Sequence, residues 1–208
     1  MIIRSTNYLD SISESKRLLA SSAGLRMSVS EFESMEDFED GYRFELINGV
    51  VIVTPPASDA EMDPNGEFEF MLRYYKYHHP EGKSLDGTMM EREVKTSTGI
   101  RRVDRAIWTG LGRSPDSRSD VPSIIVEFVS PGKVAFVRDY EEKRDEYLEL
   151  GCQEYWVIDR FRRKMTVFRA DEQEVTVLET QAYTTRLLPG FELPLKRLLH
   201  LADQHPNS

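Results

Sequence analysis

Four residues have the type and setting to do chemistry. Glu127 interrupts SIIVEFV (123–129), a run that is apolar on both alternating faces, as in a strand covered on both sides. A carboxylate there meets a desolvation penalty of several kcal/mol unless it is paired, protonated or bound to a metal. Asp104 sits similarly in RRVDRAIW, among Val103, Ile107 and Trp108, and Glu45 in FELING lies between Phe44 and Leu46. Lys143 completes the set. Phe136, Tyr140, Lys143, Tyr147 and Leu150 are spaced 4, 3, 4 and 3, so the lysine occupies the apolar stripe of a helix and faces whatever that helix covers. Such a lysine either snorkels to the edge or points at carboxylates. Three acids and an inward lysine are the parts that metal-assisted phosphodiester hydrolysis needs: oxygen ligands for a hard cation such as Mg²⁺, and a cation to orient water or meet developing charge.

Other titratable residues read as structural. Asp139 and Tyr140 are able to assist Lys143, although acids at a helix start commonly just favour the dipole. His78 and His79 are adjacent, which keeps both from one metal on a helix, and His200 and His205 lie near the tail. The single cysteine, Cys152, follows a helix end and reads as buried filler; alone it forms no internal disulfide and no thiolate metal site. Arg160, Arg162, Arg163 and Lys164 fall at a turn, where a solvated tip is the default; with Arg101, Arg102, Arg105, Arg113 and Arg118 they are candidate phosphate contacts.

The elements that must position these residues can be read in order. Ser28-Val-Ser-Glu31 spells a capping box, so a short acidic helix starts there. YRFELINGVVIVTPP is two β-favouring runs around Asn48-Gly49, the pair suited to a type I′ turn, and predicts an N-terminal β-hairpin. Phe68, Met71, Leu72 and Tyr75 predict a helix from Glu67 to His79, and 84–95 and 100–109 read as strands. The loop GLGRSPDSRSD precedes the Glu127 strand, a helix over 136–150 ends at Gly151, three strands follow as a meander, and LPLKRLL closes with a helix. Helices and strands interleaved in this way predict an α/β (α+β) fold, a central mixed sheet flanked by helices.

The chain has 208 residues, 39% hydrophobic and 30% charged, with ten Pro and twelve Gly, enough for one sizeable core and too ordered for a linker-rich protein. The Ser-rich residues 1–26, with Ile12, Lys16 and Leu19 hinting at a helix, read as an extension; 27–200 as a single domain; 201–208 as a tail. No membrane-spanning run and no export stretch is visible, so a cytoplasmic location is expected. Net charge is −9, which argues against holding nucleic acid by bulk electrostatics. That charge is local: residues 31–70 carry twelve acids against Arg43 alone, whereas the remainder carries 26 bases and 24 acids.

The order FELING, TPPAS, RRVD, VEFVSP, DYEEKRDEYLELGCQEYWVID and LPGFELPL resembles the Uma-type family of "putative restriction endonucleases", a branch of the PD-(D/E)XK nucleases, over roughly residues 27–200. The resemblance implies a restriction-endonuclease-like fold and Mg²⁺, with Mn²⁺ as substitute. It matches Asp104 and Glu127 to the two half-motif acids that ligate the metal, Glu45 to an upstream acid that assists it, and Lys143 to a lysine moved from the strand to the following helix. Departures are Val103 in place of proline, Val129 at the parent superfamily's lysine position, and no histidine in SDAEMDPNGEFEF. The implied partner is DNA, with Arg101, Arg102 and Arg105 as substrate contacts, and a homodimer is compatible with the chain. The expected function is Mg²⁺-dependent endonucleolytic hydrolysis of DNA. The alternatives are a non-catalytic nuclease-fold module that binds nucleic acid or protein, and hydrolysis of another phosphate ester.

Overall fold

The computed structural model describes residues 16–132, 137–170 and 172–206. Ile12 and Phe136, both assigned above to helices, lie outside them. In chain order the strands are β1 (Arg17–Leu18), β2 (Asp37–Phe38), β3 (Arg43–Ile47), β4 (Val50–Thr54), β5 (Leu85–Lys95), β6 (Gly99–Thr109), β7 (Ile124–Phe128), β8 (Glu154–Asp159), β9 (Lys164–Phe168), β10 (Val175–Leu178), β11 (Ala182–Thr184) and β12 (Glu192–Pro194). The α-helices are α1 (Val29–Glu33), α2 (Asp59–His78), α3 (Lys143–Leu150) and α4 (Leu195–Ala202), and a π-helical turn, Arg138–Glu142, leads into α3. Two compact units emerge. Among the described residues, one holds 16–56 with Thr98–Arg101, and the other holds Ala57–Ser97 and those from Arg102 onward.

In the first unit the hairpin forms as its turn chemistry dictates: Ile47 pairs with Val50, and Asn48 and Gly49 take φ of 50° and 73°. The capping box also forms, Glu31 N–H donating to Ser28 Oγ and Ser28 N–H to Glu31 Oε2 at 2.6 Å. Gly99 is required where β6 opens against β3, because a Cβ there would lie 2.0 Å from the Leu46 carbonyl oxygen. Within residues 16–26, most of them exposed, Leu18 and Ser22 are buried. β1 pairs in parallel with β2, and Leu18 joins Phe32, Phe44, Leu46, Val51 and Ile100 in the core of this unit.

The second unit is a mixed sheet with helices on both faces. β7 runs antiparallel to β6 and parallel to β8, with β9 and β10 continuing as an antiparallel meander and β5 pairing with β6. Every residue of β7 is buried. Alternation then sorts its side chains: Ile124, Val126 and Phe128 pack with Phe68, Leu72 and Leu198 beneath α2 and α4, while Ile125 joins Tyr140, Tyr147 and Tyr155 on the opposite face. Glu127 shares Ile125's parity and so projects toward α3. That helix ends as expected, with Gly151 at φ 100° and Cys152 N–H donating to the Tyr147 carbonyl.

α2 is longer than its periodicity suggests, starting at Asp59 rather than Glu67. Pro64 and Gly66 hide its first turns, since proline inside a helix costs about 3 kcal/mol relative to alanine. A second capping box, in which Ser58 N–H donates to Glu61 Oε2, and the burial of Ala60, Pro64 and Asn65 offset that cost. The pair β11–β12 was also not anticipated; Leu193 and Tyr183 from it are buried in the core under α2.

Glu154, in the motif quoted above, proves to be a fastener. Its Oε1 accepts from Arg169 Nε and Thr185 Oγ1, and its Oε2 from Trp156 Nε1 and the Tyr183 hydroxyl, all within 3.0 Å. Removing the carboxylate would take the acceptor from the Trp156, Tyr183 and Thr185 donors and from Arg169 Nε where the residue is 1% exposed, although Arg169 keeps Glu172 and the Tyr183 hydroxyl. Glu154→Ala is therefore expected to lower stability by about 3–5 kcal/mol, read as an earlier urea midpoint with unchanged slope; a loss inside the ±0.5 kcal/mol of an ordinary surface change would contradict the role.

Candidate active site

Asp104, Glu127 and Lys143 all belong to the second unit and come together on the α3-covered face of the sheet. Lys143 Nζ lies 2.9 Å from Glu127 Oε1 and 3.4 Å from Asp139 Oδ1. The Tyr147 hydroxyl donates to the same Glu127 oxygen at 3.0 Å. Asp104 Oδ2 accepts the Phe128 N–H at 2.8 Å, which sets its carboxylate beside the residue that follows Glu127. All four charged side chains are buried, Asp139 to 1% exposure. The lysine reaches this position because Tyr140, Lys143 and Tyr147 form one buried stripe, as their spacing predicts.

Electrostatics concentrate on Glu127. Its pKa is raised to about 8, chiefly by burial, which the Lys143 ammonium opposes and the charges of Asp104 and Asp139 reinforce. Both partners of Glu127 reach Oε1; among the described residues Oε2 accepts no hydrogen bond. Tyr155 closes the floor: its hydroxyl donates to the Asp139 carbonyl, and burial pushes its pKa well above the phenol range.

Further residues hold the set, and two of them carried a signal in the sequence. Tyr147 follows Lys143 by one helical turn, and Asp139 precedes it by one. Asn65 carried none: its Nδ2 donates to the Asp104 carbonyl, and its Oδ1 accepts from Arg105 Nε. Glu61, at the start of α2, accepts from Ser130 Oγ just beyond β7 at 2.6 Å. Glu45 lies in the first unit on β3, 7% exposed and opposite Ile52. Among the described residues no group of three or more His, Cys, Asp or Glu side chains is arranged to hold a metal ion.

Of the three arginines expected as substrate contacts, two are buried. The Arg105 guanidinium is fully buried, ion-paired with Glu69, bonded to Asn65 and Thr88, and seated over the Phe68 ring. Arg101 is 1% exposed. Both lie in a strand that is buried on both of its faces. Arg102 is the more open of the three, with 30% of its side chain exposed and Glu93 at 3.8 Å. At the β8–β9 turn, Arg162 pairs with Asp159, and Arg163 with Glu179 and Asp203. Cys152 is buried with its thiol pKa pushed up to about 12, in keeping with filler. Among the described residues no helix is long and apolar enough to cross a membrane.

The mixed sheet flanked by helices is an α+β fold with a solved counterpart. A crystal structure of a "putative nuclease belonging to DUF820 from Anabaena variabilis ATCC 29413" shares this fold at a TM-score of 0.67, covering 85% of this chain and 99% of that one at 14% identity. Residues 29–196 match the Uma2 family, described as "Putative restriction endonuclease", and the chain belongs to that family. A comparison with curated proteins finds no match.

The raised pKa of Glu127 has a consequence for stability. A carboxyl that titrates higher in the folded than in the unfolded chain holds its proton longer when folded, so it favours folding below its ordinary value of 4.5 and that contribution is lost as pH rises to about 8. In EDTA the wild-type Tm should fall across this window more steeply than that of Glu127→Gln. Parallel Tm profiles for the two proteins would contradict a raised Glu127.

Proposed function

We propose that this protein is a divalent-metal-dependent endonuclease that hydrolyses DNA phosphodiester bonds. The observation that carries the reading is the Lys143 ammonium buried against Glu127, beside Asp104. A buried ion pair gives little net stability compared with apolar residues of the same shape, so packing alone is a poor reason for placing charges on the core face of a central strand. Membership of a family described as restriction endonucleases supports the same reading.

The donor set suits a hard cation that takes only one or two carboxylates from protein and leaves its other positions to water and phosphate. The printed partners of Glu127 meet its Oε1, and the charge gathered by Glu127, Asp104 and Asp139 is what a cation would relieve. Asp104 and Glu127 would hold Mg²⁺, with Mn²⁺ as substitute. When bound, the ion lowers the pKa of water and neutralises phosphate charge. Lys143 orients the attacking water or meets charge on the phosphate, and Asp139 and Tyr147 hold that lysine and Glu127 in place.

Supercoiled plasmid with Mg²⁺ or Mn²⁺ should be nicked by wild type, and Glu127→Ala and Lys143→Met should each lose about 10²-fold or more in rate. Equal nicking by all three would assign the activity to a contaminant. A second reading, a nuclease fold that binds without cutting, draws on the burial of Arg101 and Arg105 and on the acidic 31–70 segment. Calorimetric titration separates the two: saturable Mg²⁺ or Mn²⁺ binding lost in Asp104→Ala supports the enzyme, and absence of saturation supports the module.

A further inference from the structure

We propose that Asn65 is a positioning residue for Asp104, gripping the backbone of β6 from α2 and so fixing where the Asp104 carboxylate stands beside Glu127. The Asn65 carboxamide makes two hydrogen bonds to consecutive residues of that strand. Its Nδ2 donates to the Asp104 carbonyl at 2.9 Å, and its Oδ1 accepts from Arg105 Nε at 2.8 Å. A carboxamide carries a donor and an acceptor side by side, whereas a carboxylate offers acceptors alone. The residue type therefore fits a contact with one carbonyl and one N–H. The catalytic consequence rests on the endonuclease reading; the grip on Asp104 does not.

Arg105 completes the hold. Its Nη2 donates to the Asn65 carbonyl at 2.6 Å, and its Nη1 to Thr88 Oγ1 at 2.7 Å and to Glu69. Thr88 Oγ1 donates in turn to Glu69 Oε2 at 3.2 Å. Arg105 is fully buried, and Asn65 and Thr88 are buried beside it. The guanidinium thus has Nε, Nη1 and Nη2 all engaged within the chain. A buried ion pair adds little net stability over apolar residues of the same shape. What this cluster does provide is position.

Asp104 and Arg105 are neighbours in β6, so alternation sends their side chains to opposite faces. Holding the Asp104 carbonyl and the Arg105 side chain together fixes the peptide that joins them, and with it the direction in which the Asp104 side chain leaves the strand. On its own face Asp104 Oδ2 accepts the Phe128 N–H at 2.8 Å. The residue is thereby anchored at its backbone by α2 and at its carboxylate by β7. Helix propensity disfavours an asparagine between Pro64 and Gly66 inside α2, and the two contacts to β6 supply the reason for it.

Asn65→Asp keeps the shape and the acceptor that faces Arg105 and removes only the donor, turning an oxygen toward the Asp104 carbonyl. The Phe128 amide proton reports on the Asp104 carboxylate without any reaction. In NMR spectra of the metal-free protein its resonance should move upfield in Asn65→Asp, the direction in which Asp104→Asn moves it. Misplacing a catalytic group by about 1 Å can cost on the order of 10²-fold, so kcat for plasmid nicking should fall about 10-fold or more with KM within about twofold. Thr88→Val removes one partner of Arg105 and leaves the Asn65 contact with Asp104. It should lower Tm while the Phe128 amide and kcat stay as in wild type. Asn65→Leu, which removes donor and acceptor together, should reproduce the amide shift and replaces Asn65→Asp if the added carboxylate prevents folding. A Phe128 amide unmoved in the folded Asn65 variant would overturn the proposal. So would a Thr88→Val whose kcat falls as far as that of the Asn65 variant, because the cluster would then act through stability alone. A wild type that leaves plasmid uncut would defeat the endonuclease reading, while the amide shift would still decide whether Asn65 sets Asp104.

Discussion

Lys143 held against Glu127 is the contact on which the rest of the second unit turns. Two charges in a nearly dry interior can coexist only if each is supported, and the surrounding structure supplies that support from three directions. The helix contributes Tyr147 and, through the π-helical turn, Asp139; the neighbouring strand β6 contributes Asp104; and β8 contributes Tyr155, whose hydroxyl fixes the backbone of Asp139. The parallel pairing of β7 with β8 requires a crossover over the sheet, and α3 is part of that crossover. Topology thereby determines which face of β7 receives a lysine.

Much of this was legible because it is local. Alternation in SIIVEFV marks a doubly covered strand and identifies Glu127 as misplaced for mere packing. The 3- and 4-residue spacing of Tyr140, Lys143 and Tyr147 turns the lysine inward, and Asn48-Gly49 closes a hairpin without help from tertiary structure. These features depend on neighbours within one or two turns of chain, which sequence displays directly.

What escaped depends on distant partners or on offsetting effects. Arg105 looked like a cation for phosphate because the residues that enclose it, Asn65, Glu69 and Thr88, come from another helix and another strand. The first turns of α2 were hidden by Pro64 and Gly66, whose penalty is offset by a cap and by burial that propensity does not see. The short pairings β1–β2 and β11–β12 are stabilised by the cores they touch rather than by β-favouring runs of their own.

The carboxylates can finally be sorted by their unused capacity. An ionised carboxylate offers about four lone-pair sites. Glu154 fills them with Arg169, Thr185, Trp156 and Tyr183, and Asp159 with two backbone N–H groups, Arg162 and Tyr140. A cation arriving at either would have to evict donors already in place. Glu127 instead receives both of its partners on one oxygen. Saturated acids are rivets, and if the proposed function holds, the acid with capacity to spare is the socket, so that two glutamates in adjacent strands of one sheet would serve opposite tasks.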